Sequence, residues 1–131
     1  PDFNIIRKQT ALWQRSQAMV VMENWINSGD KLDVIIANND DMALGAIQAL
    51  RAAGKLDDTI VVGVDATPDG LMAIENGALD ATVFQDGGGQ ARGAIDAAIS
   101  GITNQPREKI TWIPAELVTK DNLEEFKAKQ G

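Results

Sequence analysis

Cysteine, histidine and tyrosine are all missing from this chain of 131 residues. Without cysteine there is no disulfide and no thiolate nucleophile, and the usual zinc ligand sets are gone. Without histidine the commonest general base is gone as well. A cysteine-free chain fits an oxidising compartment. Basic charge is scarce: 12 Lys and Arg stand against 19 Asp and Glu, a net charge of −7. Such an acidic chain is a poor match for nucleic acid or an anionic membrane surface. No apolar run approaches the ~20 residues of a membrane span. No signal peptide is recognisable, and a start at Pro1 rather than Met reads as a processed or excised chain.

What is present is an ordinary globular composition, 44% hydrophobic, in a length that supports one core. Phe3-Asn4-Ile5-Ile6 is a candidate strand. Between positions 12 and 26, Leu12, Ala18, Met19, Met22, Trp25 and Ile26 recur at helical spacing, and Ser28-Gly29-Asp30 ends that helix. Residues 33–37 are continuously apolar after Asp33 and predict a parallel strand buried on both faces. Residues 42–53 are rich in Ala and Leu with Gly54 just beyond, a strong helix. Residues 59–64 form the next expected strand. Thr67-Pro68 opens a helix closed by Asn76-Gly77. Residues 80–85 are a further strand, followed by Gly87-Gly88-Gly89, which reads as a hinge, and by a helix over about 91–100. Residues 109–118 are extended and interrupted by Pro114, and Asp121 is expected to cap a short helix ending near Lys129. Alternating strands and helices imply an α/β fold, a doubly wound parallel sheet. Trp25 and Trp112 are assigned to packing.

In a parallel sheet the carboxyl ends of the strands share one edge, and ligands bind there. Three expected strands end in polar residues: Asn38, Asn39, Asp40 and Asp41; then Asp65; then Gln85 and Asp86. Amides and carboxylates in planar geometry suit the vicinal hydroxyls of a sugar or polyol. Trp13 offers a flat apolar face for the C–H side of such a ring. Each residue also has a structural reading. Asn39 or Asp40 serves equally well as a helix cap, Asp65 as an Asx-turn, and Trp13 as core. Taken together at adjacent strand ends, the set favours a polar ligand site.

The same segments carry a resemblance. Ala37-Asn38-Asn39-Asp40-Asp41-Met42-Ala43-Leu44-Gly45-Ala46, Val62-Gly63-Val64-Asp65-Ala66-Thr67-Pro68-Asp69-Gly70 and Ala81-Thr82-Val83-Phe84-Gln85 resemble the C-terminal part of type I periplasmic sugar-binding proteins, the ribose/galactose group that feeds ABC importers. Ala11-Leu12-Trp13-Gln14-Arg15 resembles the aromatic segment of that family. The resemblance implies two lobes closing on a monosaccharide or polyol. It also implies that Asn39, Asp65 and Gln85 bond ligand hydroxyls and that Trp13 stacks on the ring. Arg15, Asp40 and Asp86 are secondary candidates. Residues 1–86 would be the core of the C-terminal lobe. Residues 87–110 would be hinge and helix lying in the other lobe, and 111–131 the return strand and C-terminal helix. The N-terminal lobe, and the first strand and helix of this one, are not represented.

The expectation is therefore a solute-binding component, not an enzyme, with a pyranose or a cyclitol such as inositol as ligand. Its partners would be ABC transporter membrane subunits and its location periplasmic, or extracellular as a lipoprotein. No cofactor or metal is expected, and a lone half-cleft invites a homodimer. The alternative is the effector-binding domain of a sugar-responsive transcriptional regulator. An enzyme reading would need Asp40 and Asp41 to hold Mg²⁺, but no phosphate-binding glycine motif accompanies them.

Overall fold

A computed structural model describes residues 4–129. Strands β1 (Val34–Ile36) and β2 (Ile60–Val62) pair in parallel, with Ile35 opposite Val61. Parallel bridges from Val62 to Ala81 and from Asp65 to Phe84 carry the arrangement on to β3 (Thr82–Gln85). Strand β4 (Ala115–Val118) closes the far edge antiparallel to β3, with Gln85 opposite Ala115. Between them run α1 (Arg15–Asn27), α2 (Asp40–Ala52), α3 (Pro68–Glu75), α4 (Gly87–Ile102) and α5 (Leu123–Lys129).

The helix starts follow from local chemistry. The Asn39 side chain accepts from Met42 N–H at 2.9 Å and caps α2. Thr67 accepts from Gly70 N–H at 3.1 Å, and Pro68 holds the first helical position of α3, where its missing N–H costs nothing. Gly54, in the left-handed region at φ 66°, lets the chain leave α2. Helices α1, α2 and α5 bury Met22, Leu50 and Phe126 in one cluster with Ile35, Val61, Ile74, Leu79 and Val118. Each such side chain contributes about 1.5–3 kcal/mol on full burial. Phe126 meets Phe84 with ring centroids 5.4 Å apart, and the Lys129 ammonium lies 4.2 Å from the Phe126 centroid.

Several sequence expectations are corrected. Strand β1 is buried on one face only: Ile35 points into the core, whereas Ile36 is 74% exposed. The helices of the described chain cover one side of β1–β2 and leave Val34, Ile36 and Ile60 bare on the other. Of the candidate first strand, Phe3 lies outside the described residues, and Asn4, Ile5 and Ile6 are exposed and unpaired in any sheet. The helix expected from about residue 91 starts earlier, at the triple glycine. Gly87, Gly88 and Gly89 form the first turn of α4, capped by Asp86. Trp25 is partly buried against the core as expected, but Trp112 is 81% exposed and packs in no core cluster. Asn122, not Asp121, organises the entry to α5. Its Oδ1 accepts from Thr119 N–H at 2.8 Å, and its Nδ2 donates to the Leu117 carbonyl at 2.9 Å.

Candidate functional site

The carboxyl ends of β1, β2 and β3 meet at one edge, and main-chain bonds set their spacing. Asp40 N–H donates to the Val64 carbonyl at 2.8 Å, which places the start of α2 beside the end of β2. Asp65 N–H donates to the Val83 carbonyl at 2.8 Å, which places Asp65 beside the end of β3. There the Gln85 Nε2 amide donates to Asp65 Oδ1 at 2.8 Å. At the other end of the row, Asn39 Nδ2 donates to the Trp13 carbonyl at 3.4 Å. Trp13, Asn39, Asp65 and Gln85 therefore form one continuous strip, brought together from four separate stretches of chain.

Their exposure suits contact with something outside. The Trp13 side chain is not core: the residue is 63% exposed. It sits with Leu12 in a left-handed turn, φ 63° and 52°, immediately before α1. Non-glycine residues at such angles are uncommon and strained, which marks a geometry the surroundings impose. Asp65 is half-buried at φ 115° and is followed by Ala66 at φ 55°. Asn39 divides its side chain between two tasks, with Oδ1 on the α2 cap and Nδ2 on Trp13. The cap reading of that residue is thus realised, and its amide nitrogen ties the edge to Trp13.

The remaining candidates are placed differently. Asp40 has no exposed surface at all (0%). Its Oδ2 accepts from Thr67 N–H at 2.7 Å and from Thr67 Oγ1 at 3.0 Å, and its Oδ1 from Thr82 Oγ1 at 2.6 Å. Burial pushes the Asp40 carboxyl pKa up from the ordinary aspartate value, against the pull of these hydrogen bonds and with a smaller push from the Asp65 charge. The same carboxylate fills the space beside Gly63 and Gly70, where an added Cβ would collide with it. Asp86 accepts from Gly89 N–H at 2.7 Å and lies 3.8 Å from Arg92. Arg15 donates to Asp41 Oδ1 at 2.7 Å and to Asp69 Oδ2 at 2.8 Å, drawing together the starts of α1, α2 and α3. Those bonds, to Asp69 first and Asp41 second, raise the guanidinium pKa above its ordinary value. Three of its five N–H donors are thus engaged within the protein. Sequence reading missed Thr67, Thr82, Gly63 and Gly70. The one available signal was Thr67-Pro68-Asp69-Gly70 directly after Asp65, which places a hydroxyl and a glycine close to a strand end.

Two concavities lie away from this strip. One of about 660 Å³ runs between α4 and residues 107–113. Another of about 600 Å³ lies between Phe84, Gly87, Gly88, Arg92, Glu116 and Lys129. Neither includes Trp13, Asn39, Asp65 or Gln85. The strip is an open edge, one wall rather than an enclosed pocket.

Comparison with known proteins gives this edge its context. The periplasmic binding protein domain matches residues 1–106, and the chain belongs to that family. Its fold is the type I periplasmic binding fold, α/β with parallel strands. A Rhizobium meliloti protein to which rhizopine binding is ascribed is 52% identical over 126 residues, 95% of this chain and 41% of the relative. An ABC transporter solute-binding protein from Bacillus halodurans, solved with bound myo-inositol, is 49% identical with a TM-score of 0.86, covering 96% of this chain and 44% of the other. A Caulobacter myo-inositol-binding protein, solved with myo-inositol, is 40% identical with a TM-score of 0.84 over 94% of this chain and 43% of its own. The chain thus spans less than half the length of these relatives.

Proposed function

We propose that this chain is the C-terminal lobe of the solute-binding component of an ABC importer, and that its ligand is a cyclitol or a related monosaccharide or polyol. The strip of Trp13, Asn39, Asp65 and Gln85 at the carboxyl edge carries the reading. It provides an apolar face beside amide donors and a carboxylate, the complement of a ring with C–H groups on one side and hydroxyls around it. Asp65 Oδ1 is oriented by Gln85, and its second oxygen accepts nothing from the described residues, so it is available to a ligand hydroxyl. Two similar proteins were solved holding myo-inositol, which favours a cyclitol within this class.

The strip is one wall. The second wall belongs to another lobe, and ligand bonded to both walls shifts the population to the closed form that the membrane subunits read. Helix α4 and residues 103–110 form the arm that reaches toward that lobe, residues 111–118 return from it, and the site faces the periplasm. Calorimetric titration of the intact protein with myo-inositol, hexoses and pentoses tests this. Asp65→Ala removes a charge-assisted hydrogen bond worth about 1.5–3 kcal/mol, so affinity should fall roughly 10- to 100-fold. An intact protein that takes up no sugar or polyol refutes the assignment.

A further inference from the structure

Asp40 is a residue the ligand strip does not use directly, and its surroundings are unusually specific. Ala66 N–H donates to Thr82 Oγ1 at 3.3 Å, and Gly70 N–H donates to Thr67 Oγ1 at 3.1 Å. An amide N–H can only donate, so each hydroxyl accepts there and has its single proton left for Asp40. The bonds at 2.6 Å and 3.0 Å from Thr82 and Thr67 to the Asp40 oxygens therefore have a fixed direction. With Thr67 N–H added, both oxygens of the side chain are committed as acceptors.

The segment held in this way is the one that carries Asp65. Its three consecutive amides are each tied down: Asp65 N–H to the Val83 carbonyl, Ala66 N–H to Thr82 Oγ1 and Thr67 N–H to Asp40 Oδ2. Asp65 and Ala66 both stand at positive φ, a backbone path that L side chains adopt only when the surroundings hold them. The clearance is specific too. Gly63, just before this segment, and Gly70, just after it, are the positions where any Cβ would run into the Asp40 carboxylate.

We propose that Asp40 is a positioning residue for the ligand edge: its buried carboxylate clamps residues 65–67 through Thr67 and Thr82, and so fixes where the Asp65 side chain stands. The inference rests on the reading of Asp65 as a ligand contact. Asparagine at position 40 has the same shape but turns one acceptor into a donor facing donors, so the clamp loses its match. Thr82→Val breaks the same circuit from the other side, removing the acceptor for Ala66 and one donor to Asp40.

The test uses the intact protein with Asp40→Asn, Thr82→Val and, as a core control, Ile74→Val. Amide hydrogen exchange is read at residues 65–67 and at residues 46–50 of α2, and affinity is read by titration with myo-inositol. The expected result is exchange at 65–67 at least tenfold faster with residues 46–50 little changed. Affinity should fall at least tenfold in both clamp variants, while the core control melts earlier but keeps its affinity. If Asp40→Asn does not fold, Thr82→Val alone decides. Folded clamp variants with unchanged exchange and affinity overturn the proposal. So does a uniform rise in exchange across both segments, which would make Asp40 a general stabiliser. Faster exchange confined to 65–67, in a protein whose wild type binds neither myo-inositol nor any sugar tried, supports the clamp and overturns the ligand assignment instead.

Discussion

Two aspartates in this chain are pushed in opposite directions, and their pH signatures should separate. Burial raises the Asp40 pKa, so the folded state holds that proton more readily than the unfolded chain. Its contribution to stability is complete below the unfolded value of about 3.9 and is lost as pH rises through the folded one. Asp30 is lowered, first by its hydrogen bond from Ser28 and then by that from Arg7. Its contribution is present above the unfolded value and lost as pH falls through the folded one. The melting-temperature gap between wild type and Asp40→Asn should therefore shrink as pH climbs from about 4 toward neutrality, and the gap to Asp30→Asn should shrink on acidification below about 4. A gap for Asp40→Asn that widens toward neutral pH would contradict this reading. At this scale the sequence was only partly informative. Asn39 and Asp65 stand at strand ends because apolar runs stop there, which any reader of the pattern can see. The burial of Asp40 depends on two glycines and two threonines folding around it from positions up to 42 residues away, and no local pattern encodes that.

Helix α1 lies so close to α2 that Gly45 has no room for a side chain. A Cβ there would collide with the Arg15 carbonyl oxygen and stand 3.0 Å from the Ala18 Cβ. The collision is with backbone, so a whole helix turn must move rather than a flexible tip. Gly45→Ala should gain up to ~1 kcal/mol of helix propensity but incur an overpacking cost of about 1–3 kcal/mol. The expected outcome is a net loss in urea unfolding, together with weaker affinity for the proposed ligand, since Trp13 stands in the turn immediately before α1. A Gly45→Ala variant as stable as wild type would show that the two helices have slack. Elements with chemical punctuation were legible in advance: Thr67-Pro68 for α3, and Gly54 after α2. The reading failed where the deciding partner is distant. The continuous apolar run of β1 predicts cover on both faces, yet one face is bare, because the elements described here pack on a single side. Gly87, Gly88 and Gly89 read as a hinge ahead of a helix starting near residue 91, because glycine disfavours helix, yet the Asp86 cap at 2.7 Å from Gly89 N–H starts α4 among them.

The molecule divides into a packed body and an arm. In the body, α2 buries Ala43, Ala46, Ile47, Ala49 and Leu50. In the arm, α4 buries only Gly89, and Ile95, Ile99 and Ile102 face outward at helical spacing. What α4 touches is mainly its own return segment: Thr111 and Ile113 near Gly93, and Arg107, whose guanidinium donates to the Ala97 carbonyl at 3.4 Å. A helix of 16 residues that includes five glycines has little intrinsic stability, because isolated helices near that length are marginal even when rich in alanine. Its order must come from apolar contact, and the stripe Ile95–Ile99–Ile102 supplies a face for that contact without a partner among the described residues. Local opening free energies scale with such contacts. In the 131-residue chain, amides of residues 91–102 should therefore exchange far faster than those of residues 43–50. On the proposed two-lobe reading, the two sets should converge in the intact protein, where the other lobe would cover the isoleucine stripe. Equal protection of both helices in the isolated chain would mean that α4 is held by this chain alone, and the arm would then have no need of another lobe.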